Sequence, residues 1–371
     1  MKSHQPGRTA LAETIEGRAR VRWPDASRTV IIGLDAAFTG ALERVARIAE
    51  ADSSILLTGE TGTGKELFAR ALYLLSRRDG QPFLSVNCAQ YQDAQTIASE
   101  LFGHRKGSFT GAAADHVGLF EAAHRGMVFL DEVAELSLAT QAMLLRVLSE
   151  GELVPVGDTR PRRVDVRVVA ATSVDLHEMV QQGRFRRDLF FRLRALQVRV
   201  PAVRERGDDW ELIREYYLGL LGVARRRTKR FSRESISLLA RYDWPGNVRE
   251  LKGLVDTGFH LSDGDVIEPQ HFVESLEAAA RLQQIGRVPF VDVVSERYER
   301  LTRGEGDFWS LVHHPYLERD LSRAEVRALV ERGLSASQGS YKKLIRLWSM
   351  EEGDYLRFMD FLRHQRLKPH R

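Results

Sequence analysis

The stretch "SILLTGETGTGKELFARAL", Ser54–Leu72, decides how the rest of the chain reads. "SILLTG" (54–59) is a short apolar run ending in a turn, which suits a parallel strand buried on both faces. "GETGTGKE", Gly59–Glu66, then has the spacing G-x-x-x-x-G-K and opens a helical segment. Glycines there let backbone N–H groups wrap phosphate oxygens, and the helix N-terminus adds partial positive charge. Gly59, Glu60, Thr61, Gly62, Thr63, Gly64, Lys65 and Glu66 are therefore the candidate nucleotide ligands, with Lys65 reaching the β- and γ-phosphates. Glu66 stands where such loops place Ser or Thr on magnesium. The metal is thus expected to lean on water, phosphate and a second acidic residue. "MVFLDE" supplies one, because an apolar strand lifts Asp131 and Glu132 to the carboxyl edge of the sheet, where ligands bind in open α/β folds. Asp131 is expected to help hold Mg²⁺ through water, and Glu132 to orient and polarise the attacking water. ATP and Mg²⁺ are the expected cofactors.

Working outward, "PFLSVN" (82–87), "GMVFLDE" (126–132), "VDVRVVAATS" (164–173) and "ALQVRVP" (195–201) read as further strands with helical segments between them. That alternation predicts an α/β sheet covered on both faces. Phe38, Leu42, Val45, Ala46 and Ala49 recur at helical spacing ahead of the first strand. Residues 1–28 are polar, rich in Arg and Ala, and expected to form a loose arm. The nucleotide-binding core is expected at 29–202. From 203 to 277 the strands stop and a small helical domain follows. Residues 278–290 read as a linker, and 291–371 are helical again.

Composition sets outer limits. The 371 residues suit two or three domains, and 43% hydrophobic with 29% charged residues is ordinary for a globular chain. No run of about 18 apolar residues and no secretory leader is present, so no membrane partner is expected. Cys88 is the one cysteine, which excludes an internal disulfide and fits a reducing cytoplasm. The net charge is +4. Residues 341–371 hold eight Lys/Arg and four Asp/Glu, so the basic excess lies at the C-terminal end.

"GHRKGSFTGAAAD" (103–115) has the period of neither strand nor helix, and Phe109 is badly placed there for a core. In chain order, "GETGTGKE", "ELFGHRKGSFTGA", "GMVFLDEV", "FRRDLFFRL", "VPAVRERGDD" and "WPGNVREL" resemble the central AAA+ domain of bacterial enhancer-binding proteins, the sigma-54-dependent transcriptional activators. The resemblance spans roughly residues 29–275. It implies an α/β AAA+ P-loop NTPase core with a parallel sheet and a helical lid at 203–277. An all-helical C-terminal region would follow, with a helix-turn-helix at 339–371. It implies an ATPase that couples ATP hydrolysis to remodelling of the closed promoter complex. The expected partners are the sigma-54 RNA polymerase holoenzyme, enhancer DNA and further copies in a hexameric ring.

The resemblance also implies roles for single residues. Asn87 matches a position that holds the catalytic glutamate in check, although from the residues alone it reads as a strand-end cap. Arg186 and Arg192 match arginines that reach into the neighbouring subunit's site, whereas Arg187 matches nothing. Arg249 matches the sensor arginine of the lid, with Trp244 and Pro245 as packing and turn residues. Thr172 and its neighbour sense the γ-phosphate, and Ser173 stands where the family has Asn. Gly107, Ser108, Phe109, Thr110, Gly111 and Ala112 resemble the family's GAFTGA loop, with Ser108 for Ala. That loop carries the sigma-54 contact and moves with nucleotide state. Phe109 is then an apolar anchor for a partner to bury. An alternative function is a chaperone-like AAA+ remodeler of another protein, with a C-terminal protein-interaction module. A third is a nucleotide-gated scaffold without hydrolysis, against which Lys65, Asp131, Glu132 and Arg186 argue. No sensor domain fits within 1–28. Control is expected from a partner, the C-terminal segment, expression level or a domain outside this chain.

In 339–371, Tyr341, Leu344, Ile345 and Trp348 share one helical face, and Tyr355, Phe358, Met359 and Leu362 another. "SMEEGD" reads as the turn, with Asp354 as N-cap. The second helix would enter the major groove, with Arg357, Arg363 and His364 touching bases or phosphates. Asp354 and Asp360 put negative charge on that helix, and the other reading is a dimerisation or docking module.

Overall fold

The computed structural model describes residues 8–24, 29–91, 93–109, 111–277, 293–317, 321, 323–348, 350–365 and 367. All five expected strands are present: β1 (Ile55–Thr58), β2 (Phe83–Asn87), β3 (Met127–Asp131), β4 (Arg167–Thr172) and β5 (Leu196–Arg199). They form one parallel sheet in the order β2-β3-β4-β1-β5. β1 thus lies between β4 and β5, with Thr58 opposite Thr172 and Arg199. Parallel strands need both faces covered, and β3 shows how the sequence meets that need. Val128 and Leu130 point into one core, Met127 and Phe129 into the other.

On the second of these faces lie α1 (Ala10–Arg22), α2 (Ala36–Ile48) and α3 (Lys65–Leu75). Their Ile15, Phe38, Leu42, Phe68 and Leu72 are buried with Leu57 and Val169. The opposite face is covered by α4 (Ala94–Phe102), α5 (Leu138–Glu150) and α6 (Arg187–Leu193), through Leu101, Phe102, Leu144 and Leu189. Next come α7 (Asp209–Arg225) and α8 (Asn247–Leu261), packed on each other around Trp210, Ile213, Trp244, Leu251 and Leu254. The strands do not stop entirely at 203: Arg230–Phe231 pairs with Val266–Ile267 in a two-residue ladder. A pair that short carries no alternation for a sequence to show.

The chain divides into two compact units, Met1–Ala279 and Ala280–Arg371. The sheet and the α7–α8 region belong to the first. The linker expected at 278–290 lies outside the described residues, as does Thr110. In the second unit, α9 (Val293–Arg303), α10 (Arg323–Ala336), α11 (Tyr341–Leu347) and α12 (Tyr355–His364) enclose an aromatic core. Phe308 stacks on Trp348 at 5.7 Å and meets Phe358 edge-on at 4.9 Å. Leu344, Ile345, Phe358 and Leu362 are buried, as their helical spacing predicts. Asp354 occupies the N-cap position of α12, but its side chain makes no capping bond. No helix among the described residues is long and apolar enough to cross a membrane.

The loose arm expected at 1–28 needs correcting over residues 10–22, which form α1. The Thr9 hydroxyl caps it, accepting from the Ala12 N–H at 3.2 Å. Ala12, Ile15 and Ala19 are buried at helical spacing. Glu16 goes in with them, accepting from the Ile31 N–H at 2.8 Å and pairing with Arg8 at 3.1 Å. Two alanines and one glutamate on the inward face leave almost no hydropathy contrast, which is why the pattern looked polar. Ile15→Ala is expected to cost about 2–5 kcal/mol of stability, as truncation of a buried Ile does. Denaturant titration measures it, and an unshifted midpoint would place α1 outside the core.

Candidate functional site

The turn after β1 is built to receive an anion. Gly64 stands at the N-cap of α3 in the left-handed conformation (φ 98°), and no side chain caps the helix. The first-turn N–H groups are left to face a ligand. Lys65 is buried at 6% exposure. Its Nζ donates to Gly59 O at 3.0 Å and Glu60 O at 3.4 Å, and pairs with Glu132 Oε1 at 3.3 Å.

Glu132 follows β3 with left-handed backbone (φ 51°), a region that non-glycine residues seldom use. Its Oε2 accepts from both the N–H (3.0 Å) and the hydroxyl (2.9 Å) of Ser173, at the tip of β4. Asp131 accepts from the Glu132 N–H at 3.1 Å. Burial, and then the neighbouring Glu132, pushes the Asp131 carboxyl up. Asn87 lies beside Asp131 in register. Its Oδ1 accepts from the Ala89 N–H at 3.0 Å, the strand-end cap that its sequence position suggests. No hydrogen bond joins Asn87 to Glu132 among the described residues. The buried Thr172 hydroxyl closes a turn with Val174. Glu66 is held by Arg70 at 2.7 Å. Among the described residues no group of three or more His, Cys, Asp or Glu could hold a metal ion.

The other side of the loop is bound to the helical region. A Cβ on Gly62 (φ 80°) would sit 2.3 Å from Gly246 O, so only glycine allows this approach. Gly62 O accepts from the Val248 N–H at 3.1 Å. Buried Asn247 accepts from the Val203 N–H at 2.8 Å and donates to Glu60 and to Thr61 O, both at 3.1 Å. Arg204 also pairs with Glu60 and, with Asn247, holds that carboxyl below the usual range. Arg206 donates to Thr63 O and Pro201 O, both at 2.8 Å, and lies 4.5 Å over the Phe38 ring. Burial brings its pKa down to about 10. Arg249 is exposed one residue beyond this seam. A cavity of about 550 Å³ opens beside the loop, walled by Ile32, Phe38, Gly64, Arg206, Ile213 and Val248.

Arg186, Arg192 and the 103–115 loop stand elsewhere. Arg186 is exposed and pairs with Asp188 at 2.7 Å. Arg192 turns back, donating to Leu148 O at 2.9 and 2.6 Å. Neither lines the cavity beside the phosphate loop. Phe109, expected as an apolar anchor for a partner to bury, is half-buried with its ring 4.9 Å from that of His104. Gly107 and Gly111 have positive φ on either side. Ser108 packs on Gly157, its hydroxyl buried and without a hydrogen-bond partner among the described residues. Ala112 is buried and accepts from the Gly107 N–H at 2.8 Å. In the second unit, Arg357 lies 4.0 Å over Trp309, Arg363 is 3.5 Å from Asp360, and His364 donates to Asp360 O at 2.9 Å.

Residues 31–199 match the family model of the sigma-54 interaction domain, and residues 204–285 that of an AAA+ ATPase lid domain. The chain carries a sigma-54 interaction domain followed by an AAA+ lid domain. It is 42% identical over 274 residues to the phenol regulator MopR of Acinetobacter guillouiae, covering 72% of this chain and 48% of MopR. It is 50% identical over 220 residues to the hydrogenase transcriptional regulatory protein HoxA of Bradyrhizobium diazoefficiens, covering 59% of this chain and 45% of HoxA. The chain thus spans about half the length of these relatives. The crystal structure of NtrX from Brucella abortus in complex with ATP resembles it with a TM-score of 0.61 and 26% identity, over 90% of this chain and 69% of NtrX. The family thus has an AAA+ ATPase domain, and in this chain Asn247 and Arg206 join its loop to its lid. Asn247→Ala strands the buried Val203 N–H and is expected to cost about 1–3 kcal/mol. A thermal unfolding midpoint equal to the parent's would contradict that seam.

Proposed function

We propose that the chain is an ATP-hydrolysing activator that remodels the closed promoter complex of sigma-54 RNA polymerase. One observation carries the reading: Glu132 stands at the carboxyl edge of the sheet within reach of Lys65, beside an uncapped helix N-terminus. Gly59–Glu66 cradle the phosphates, Lys65 neutralises the β- and γ-oxygens, and the adjoining cavity takes the base. Glu132 takes the proton of the attacking water. Mg²⁺, when bound, would neutralise phosphate charge. The half-buried Asp131 carboxylate fits it as the chain's own ligand, with water and phosphate supplying the rest, since Glu66 is engaged by Arg70. Thr172 and, from the lid, Arg249 read the γ-phosphate.

The matched family and the ATP complex of NtrX support this reading. Arg186 is exposed and free of its own nucleotide cavity, which suits action on a neighbour's phosphates in a hexameric ring. Arg192 would have to leave Leu148 O to join it. The loop Gly107–Ala112 touches sigma-54, and Phe109 leaves His104 when it does. Helices α11 and α12 form the DNA-binding helix-turn-helix, with Arg357, Arg363 and His364 on its exposed face. Such a protein works in the cytoplasm.

Glu132→Ala is expected to bind ATP at least as tightly as the parent, since Lys65 no longer has to leave a carboxylate, while kcat falls about 10²–10⁴-fold, the usual share of a general base. Hydrolysis at the parent rate would remove Glu132 from the mechanism. Phe109→Ala should keep the ATPase and lose transcription from a sigma-54 promoter in a purified system. Parent-level transcripts from this variant would show that the loop is not the contact.

A further inference from the structure

Glu132 has two carboxylate oxygens, and the structure gives them different partners. Oε1 faces the Lys65 ammonium at 3.3 Å. Oε2 accepts from the Ser173 N–H at 3.0 Å and from the Ser173 hydroxyl at 2.9 Å. The backbone of Glu132 is left-handed, an uncommon conformation for a non-glycine residue. Asn87, to which the family resemblance gives this duty, spends its Oδ1 on the Ala89 N–H instead.

We infer that Ser173 is the positioning residue for Glu132, and that Lys65 masks the working oxygen until phosphate draws the ammonium away. The inference rests on Glu132 being the base. Lys65 has two roles that exclude each other: it pairs with Oε1, or it neutralises the phosphates. A charge-assisted contact to phosphate is the stronger of the two, because several anionic oxygens compete with one carboxylate oxygen. When Lys65 moves, Oε1 is freed on the side of the phosphate cradle. Oε2 keeps its two donors, which belong to the tip of β4 and not to the phosphate loop. The carboxylate then cannot rotate, and Oε1 alone meets the water. The residue usual in the family at position 173, Asn, would extend its amide further than this hydroxyl reaches. Serine is short enough for its N–H and its O–H to converge on one oxygen.

The test is steady-state ATP hydrolysis by the full chain carrying Ser173→Ala, Ser173→Thr, Glu132→Ala or Ser173→Ala with Glu132→Ala. Ser173→Ala removes the hydroxyl and leaves the N–H. It should lower kcat about 10-fold with KM within about twofold of the parent, since orientation is lost and binding is not. Ser173→Thr retains the hydroxyl and should restore most of kcat. In the Glu132→Ala background the serine change should have no further effect. A Ser173→Ala enzyme at the parent kcat would overturn the assignment, as would equal losses in the alanine and threonine variants. An undiminished 10-fold loss without Glu132 would overturn it too. If Glu132→Ala itself hydrolyses ATP at the parent rate, the base assignment fails and this inference with it. If Glu132→Ala is inactive while Ser173→Ala is normal, only the inference fails.

Discussion

The Lys65–Glu132 pair holds together the parts on which everything else depends. It ties the turn after β1 to the tip of β3, and through Ser173 to the tip of β4. Those three strand ends lie together at the carboxyl edge of the sheet. Both groups are largely out of solvent, Lys65 at 6% and Glu132 at 18% exposure. Removing one partner of such a pair strands a charge and typically costs about 3–5 kcal/mol. The bond is therefore firm in the free protein, and only another dense source of negative charge can displace it. A triphosphate is such a source. On the proposed reading, the resting interaction and ATP binding compete for one ammonium group.

The loop that carries Lys65 has two sides with two different duties. Its helix N-terminus carries no side-chain cap, while Glu60, Thr61, Gly62 and Thr63 are each bonded to residues between Val203 and Val248. The loop and the lid are therefore bonded to each other directly. Gly62 makes this coupling sterically tight, because any side chain there would meet Gly246 O. Arg249 stands directly beyond this seam.

Much of this was legible in the sequence where one dominant signal coincided with one structural demand. Short apolar runs ending in turns had to be buried parallel strands, and the Gly-rich spacing had to follow one of them. Asp131 and Glu132 fell at a strand end for the same reason. Helix α1 escaped notice because its inward face is Ala12, Ile15, Glu16 and Ala19, which carries little hydropathy contrast. Asn247 and Arg206 escaped because buried polar groups act through partners far away in the chain: Arg206 meets Thr63, and Asn247 meets Glu60. Ser173 was noticed as a departure from the family, but its bond to Glu132 needs two strand tips in register. Phe109 was legible as an apolar residue out of place; that it rests on His104 was not, since the loop's path sets that contact.

The claim at the centre of this account is that Lys65 gives up Glu132 for the phosphates of ATP. Calorimetric titration of ATP into the full chain and into Lys65→Ala tests it most directly. The lost charge-assisted contacts predict an affinity lower by about 10–150-fold in the variant, equivalent to about 1.5–3 kcal/mol. Equal affinity in the two proteins would mean that the loop is not the phosphate site, and the account would fall with it.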